Sequence, residues 1–177
     1  MDRGKILTIG HSTRSLEEFL ELLGREGVRQ LIDVRAFPVS RRYPHFSRES
    51  LERSLAASSI SYAHFAELGG RRTARPDSRN LQWRNAGFRA YADYMETPEF
   101  ATAIDRLVNE TTAETSAIMC AEAVPWRCHR TLIADAVEAR GIQVFHILDS
   151  STPRHTLTSF ARIEDSRVRY DTGSHIA

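Results

Sequence analysis

Ala117-Ile-Met-Cys-Ala-Glu-Ala-Val-Pro-Trp-Arg-Cys-His-Arg-Thr-Leu-Ile-Ala-Asp-Ala-Val-Glu-Ala-Arg-Gly141 joins a short apolar run, a loop crowded with reactive side chains and a helix. The run reads as a strand from Thr115 to Met119, and the helix as Thr131 to Arg140, with Gly141 as its C-terminal stop. Strand, loop and helix in this succession are the repeating unit of parallel α/β sheets. In such sheets ligands settle beyond the carboxyl ends of strands and at the N-termini of the helices that follow. Both cysteines of the chain, Cys120 and Cys128, fall there, together with Glu122, Arg127, His129 and Arg130.

The same alternation extends in both directions. Lys5 to Gly10 is a short β-branched run that ends in glycine, and Ser15-Leu-Glu-Glu18 is a capping box opening a helix up to Gly27. Leu31 to Arg35 is apolar enough for a strand buried on both faces. An extended loop from Pro38 to Pro44 follows, and Ser47 is placed to cap a helix whose Leu51 and Leu55 face inward. Ile60 to Phe65 is the next strand. A polar stretch then runs to about Gly87, a length that marks either a functional lid or a disordered segment. Helical spacing restarts at Phe88, and Thr97-Pro98-Glu99 begins a further helix with proline at its first position. Gln143 to Leu148 is a fifth strand. The pattern predicts a single α/β domain over residues 1–177, with a mostly parallel sheet of about five strands, helices on both faces and a peripheral tail over 150–177 whose Leu157, Phe160, Ile163 and Val168 can pack a short ribbon.

The composition is that of an ordinary globular protein, 41% hydrophobic and 27% charged over 177 residues. A net charge of +1 offers no broad basic surface for a duplex, so any nucleic acid must bind locally. Of the 24 basic residues only Lys5 is lysine, a bias that suits bidentate recognition of phosphate or carboxylate and that genome composition also produces. No stretch approaches the roughly 20 apolar residues of a membrane span, and Met1 to Lys5 leads into a strand without a secretory core. The expectation is a cytoplasmic protein with reduced thiols and no membrane partner.

Four spaced motifs carry a family resemblance. Gly10-His11-Ser12, Asp33-Val34-Arg35 with Pro38 and Ser40-Arg41-Arg42, Glu67-Leu68-Gly69-Gly70-Arg71-Arg72, and Cys120-Ala121-Glu122 leading to Cys128-His129-Arg130 together resemble the DUF488 family. The likeness runs from about Lys5 to the segment at His155. It implies an α/β fold and a shared polar site but no activity, since the family is one of unknown function. Asp33-Val34-Arg35 after a strand is also similar to rhodanese-like domains, whose catalytic cysteine lies in a loop ahead of a helix, but no residue is carried over from that likeness.

A parallel sheet brings the ends of its strands to one edge, so these distant segments are expected to meet. Cys128, at a helix N-terminus among Arg127, His129 and Arg130, is the candidate nucleophile, against a purely packing role. Glu122, His11 and His129 are the candidates for moving protons. Ser12, Asp33, Arg35, Arg41, Gly69, Gly70, Arg71, Arg72, Cys120, Arg127 and Arg130 are the candidate binding residues, and Trp83 among the loop arginines suits a stacked base. No glycine-rich dinucleotide or Walker loop is present and no cofactor is expected. Zinc held by Cys120, Cys128, His129 and His11 is an alternative, disfavoured because neighbouring Cys and His side chains usually diverge. The expected function is an enzyme acting on a phosphate-bearing substrate, a nucleotide or nucleic acid. The alternatives are a non-catalytic module for nucleic acid or an anion, and a metal-dependent hydrolase.

Overall fold

Alternate side chains of each strand enter different layers, and this sorts the whole molecule. In β1 (Lys5–Gly10), Leu7 and Ile9 pack with Phe19, Leu22 and Leu23 of α1 (Leu16–Arg25), whereas Ile6 joins the opposite layer. In β2 (Gln30–Asp33), Leu31 lies in the α1 layer and Ile32 in the other. The first layer is completed by Leu51 and Leu55 of α2 (Arg48–Ala57). The second is built from α3 (Ala86–Met95), α4 (Pro98–Glu110) and α5 (Arg130–Glu138), through Tyr91, Phe100, Ile104, Leu107, Leu132 and Val137. Helices therefore cover both faces, as the doubly apolar strands require.

The remaining sheet strands are β3 (Ser61–His64), β4 (Ser116–Cys120) and β5 (Gln143–His146). The computed structural model describes residues 4–171, and in it the five strands are all parallel in the order β3-β2-β4-β1-β5. The chain forms a single α/β domain. Among the described residues no helix is long and apolar enough to cross a membrane.

Local signals are met where side chains are free to act on their own backbone. Ser15 Oγ accepts from the Glu18 amide at 3.1 Å, Thr97 Oγ1 accepts from Phe100 N, and Gly141 follows α5 with φ +81°. Ser47 does not cap α2 through its side chain: its hydroxyl is taken by Ser40, accepting from the Ser40 amide at 3.1 Å and closing the loop after β2. The segment after Ser150 departs from a peripheral role. β6 (Arg162–Glu164) and β7 (Arg167–Arg169) form the small antiparallel ribbon, but Tyr170 and His155 enter the interior, 2% and 8% exposed. Of the expected tail, residues 172–177 lie outside the described residues.

Candidate functional site

β1 and β4 are neighbours, yet α1 and α5, the helices that follow them, lie on opposite faces. Adjacent strands whose connections diverge leave a crevice at their carboxyl ends. Gly10 and Cys120, the last residues of β1 and β4, are paired across it, and a cavity of about 560 Å³ opens at this edge. His11 and Arg35 come from just beyond the strand ends, Phe37, Val39 and Ser40 from the loop after β2, Cys120 from the end of β4 and Ala121 from the residue after it. Arg127, Cys128 and His129 come from the approach to α5, and Gly70, Arg71, Asn85, Gly87 and Phe88 from the long polar loop and the start of α3.

The Cys128–His129 pair lies in this cavity. The backbone is extended at Cys128 (φ −137°, ψ 152°) and turns helical at His129 (φ −59°, ψ −11°), which folds the two side chains together rather than apart. His129 Nδ1 lies 3.4 Å from Cys128 Sγ, while its Nε2 lies 3.0 Å from the Val34 carbonyl oxygen. A carbonyl only accepts, so Nε2 carries a proton, and Nδ1 is left to take the thiol proton or, once it holds that proton, to donate it back to the sulfur. The Arg130 amide, in the first turn of α5, also approaches Cys128 Sγ at 3.5 Å. Gly70 is required here by close packing: a Cβ on it would stand 2.7 Å from His129 Nδ1.

Burial by itself would raise the Cys128 thiol. Hydrogen bonds from Cys120 and His129 and the positive charges of His129 and Arg130 outweigh it and hold Cys128 well below the ordinary thiol value. Cys120 shows the converse: burial and its bond to Cys128 push it well above that value. The contact between the two sulfurs thus drives them in opposite directions, Cys128 towards the thiolate and Cys120 towards the neutral thiol.

His11 donates Nδ1–H to the Ser12 carbonyl at 3.0 Å and stacks on Phe46 with ring centroids 4.5 Å apart. Its Nε2 faces Arg35 Nη1 at 3.5 Å, the guanidinium that is itself locked onto Asp33. Burial, with Arg35 adding to it against the Ser12 carbonyl, lowers His11 to about 4. His146, buried at the end of β5 beside Thr8 of β1, is lowered to about 3, mainly by burial. Both groups stay neutral in the fold while the unfolded chain takes up protons below 6.5. Stability therefore rises with pH across this window and falls as pH drops from 6.5 towards 4, by about 3 kcal/mol from His11 alone. Denaturant unfolding measured across the window should show that slope; a flat profile would contradict neutral burial of the two imidazoles.

Several other candidates are placed elsewhere. Asp33 is fully buried beneath the cavity, held by Arg35 and by the Tyr62 hydroxyl at 2.6 Å, and acts on the site through Arg35. Glu122 is exposed and its carboxylate does not line the cavity; its carbonyl accepts from Arg130 instead. Arg130, expected to cradle an anion, is 1% exposed and spends its donors on Thr8 and on the Glu122 and Ala123 carbonyls. Trp83 is not a stacking platform, because Phe88, Phe160 and Tyr170 pack edge-on against it at 4.9–5.5 Å. Arg72 is committed to the Gly69 and Glu67 carbonyls and lies 3.5 Å over the Tyr94 ring. Gly69 packs on Ala36, Arg41 is exposed outside the lining, and Ser12, with φ +48°, faces a second groove. That groove, about 930 Å³, is lined by Arg14, Glu18, Glu21, Arg25 and Asp149, where Arg14 pairs with Asp149 and Arg25 binds the Leu148 and Asp149 carbonyls. Its two arginines are already engaged.

The long loop is anchored to α3. Asp93 of α3 accepts from Ser78 Oγ, Asn80 Nδ2 and the Arg75 amide, pulling the loop back onto the helix. Phe37 and Val39, 66% and 69% exposed at the cavity, are site residues that motif reasoning misses; apolar side chains flanking Pro38 in an otherwise polar loop are the available signal. Among the described residues no three or more His, Cys, Asp or Glu side chains are grouped to hold a metal ion, so the zinc set Cys120, Cys128, His129 and His11 does not assemble as a ligand cage.

The family model described as "Domain of unknown function DUF488" matches residues 15–137, well over half of the chain and including β4, Cys128 and most of α5. No curated protein matches the chain, and no solved structure does.

Proposed function

The chain belongs to the DUF488 family, and from its site we propose that it is a thiolate enzyme acting on a phosphate-bearing substrate, a nucleotide or nucleic acid, in the cavity at the ends of β1 and β4. The observation that carries this reading is the Cys128–His129 pair in a cavity lined by Arg35, Arg71 and Arg127 and by no acidic side chain. Arg35 is offset by Asp33, whereas Arg71 and Arg127 have no carboxylate partner among the described residues. Their two guanidiniums leave a net positive cavity, which favours an anion bound through paired N–H donors. Arg71 lies over the Phe37 ring at 5.3 Å, and Phe37 and Phe88 give the same cavity aromatic surface for a planar group.

The chemistry follows from the pair. Cys128 passes its proton to His129 Nδ1, while the Val34 carbonyl holds the ring in register through Nε2. The sulfur attacks the electrophilic centre of the bound substrate, and the His129 imidazolium returns the proton to the leaving group. Water, activated by the same imidazole, then releases the second product. His11, neutral and next to Arg35, is a second group able to orient a substrate oxygen from the opposite wall.

Arg71→Ala and Arg127→Ala should each weaken binding of a nucleotide by about tenfold to a hundredfold, with the effect shrinking at high salt. Titration calorimetry over a panel of nucleotides and simple phosphoesters measures this. Mass spectrometry of the same mixtures tests for a covalent adduct on Cys128. Binding that survives both arginine substitutions, with no adduct and no turnover for any member, would refute the reading. Binding that needs the arginines but never produces turnover would assign the site to a non-catalytic recognition module instead.

A further inference from the structure

Arg130 poses a charge problem. Its side chain is buried with 1% exposure, its Nε has no partner, and no carboxylate pairs with it among the described residues. A buried cation without a counterion is strongly disfavoured. Nη1 donates to Thr8 Oγ1 at 3.0 Å, and Nη2 to the Glu122 and Ala123 carbonyls at 2.7 and 3.4 Å, the loop that leads to Cys128. The Arg130 amide points at the Cys128 sulfur, and the guanidinium favours ionisation of that thiol.

A continuous chain of hydrogen bonds runs from the guanidinium into the core. A neutral His155 gives it a single direction. The Asp135 carboxylate, fully buried, accepts at 2.7 Å from His155 Nε2, so His155 carries a proton there, and in the neutral ring Nδ1 is the acceptor. His146 Nε2 donates to that Nδ1 at 2.9 Å, leaving His146 Nδ1 to accept from the Thr8 hydroxyl at 2.7 Å. Thr8, its proton committed, accepts from Arg130. The other oxygen of Asp135 accepts from the Tyr170 hydroxyl at 2.6 Å. Every donor in the sequence Arg130, Thr8, His146, His155, Asp135 points the same way, with a cation at one end and an anion at the other. Such chains polarise cooperatively.

We infer that Asp135, His155, His146 and Thr8 form a positioning chain that holds the Arg130 guanidinium in place as the counterion of the Cys128 sulfur. The inference rests on the thiolate reading of the site and adds the device that sustains it. The groups that face Cys128 are Cys120 from β4, Tyr91 from α3, and His129 and Arg130 from α5, with His11, Arg35, Arg71 and Arg127 around the cavity. Arg130 alone among them is tied to the chain, so cutting the chain far from the cavity should be felt at the sulfur through Arg130.

Thr8→Val removes the hydroxyl without changing its shape, and Asp135→Asn removes the distant charge. The rate of Cys128 alkylation by iodoacetamide as a function of pH, read on the peptide that contains it, should shift upward by about one pH unit in each variant, a loss of about tenfold at neutral pH. Circular dichroism and thermal melting establish that the variants are folded. A wild-type Cys128 that ionises like a free thiol would defeat the thiolate reading itself. A low wild-type value that folded variants leave unmoved would defeat only the positioning chain, reducing it to core hydrogen bonding. Nitrogen NMR of the wild-type histidine side chains tests the chain without any variant: both His146 and His155 should be neutral Nε2–H tautomers, and an Nδ1–H tautomer or a charged ring at either position overturns the inference.

Discussion

Cys128→Ser should leave nucleotide affinity within a few-fold of wild type while turnover of whichever phosphoester the protein accepts falls by at least about a thousandfold. The substitution keeps the size and hydrogen-bonding capacity of a side chain that is 5% exposed at the cavity, so binding by Arg71 and Arg127 persists. What disappears is the anion: a hydroxyl in the same surroundings does not ionise near neutrality. His129→Asn should cost about a hundredfold to ten-thousandfold, because it replaces the basic Nδ1 nitrogen 3.4 Å from the sulfur with an amide that cannot take up a proton, while the α5 amide still favours thiolate. Steady-state kinetics beside calorimetry separates these losses from losses of affinity. Equal loss of binding and turnover in Cys128→Ser would make the residue a packing element rather than a nucleophile.

Gly10→Ala should be the most damaging small substitution in the chain for stability, costing about 3 kcal/mol or more in denaturant unfolding. A Cβ at Gly10 would lie 1.6 Å from the Glu122 carbonyl oxygen and 2.4 Å from its carbon, backbone atoms that cannot rotate away. The same carbonyl accepts from Arg130 at 2.7 Å, so displacing it disturbs the guanidinium as well as the loop. Gly24→Ala supplies the contrast. Gly24 lies on the exposed side of α1, where an added methyl group would meet nothing within 4 Å, and alanine there should be neutral or stabilising by up to about 1 kcal/mol. Similar effects at the two positions would contradict the close approach of the Glu122 loop to the end of β1.

The amino-acid order discloses some of these features and conceals others. The strands, the helix caps at Ser15 and Thr97 and the stop at Gly141 act locally, so periodicity and turn chemistry reveal them. The meeting of Gly10, Asp33 and Cys120 at one edge follows from parallel pairing once the strands are placed. Strand order does not follow: nothing in the residues near Ser116 announces that β4 inserts between β1 and β2. The roles of the arginines depend on that order. Arg35, Arg71 and Arg127 face the cavity, whereas Arg130, identical in type and adjacent in sequence to the reactive pair, turns under the loop because α5 begins there and directs its first-turn side chain onto Thr8. Trp83 misleads for a related reason. Its loop neighbours are polar, but its packing partners Phe160 and Tyr170 come from far along the chain. The convergence of Cys128 and His129 is hidden as well, since adjacent residues meet only where the backbone changes conformation between them.

The central claim is that Cys128 is a thiolate at neutral pH, held so by His129, Arg130 and Cys120. Ultraviolet thiolate absorbance of the wild-type protein minus that of Cys128→Ser, followed across pH, measures it directly. The account predicts a single inflection well below the roughly 8.5 of a free thiol. An inflection at or above that value would show an ordinary buried cysteine and contradict the account.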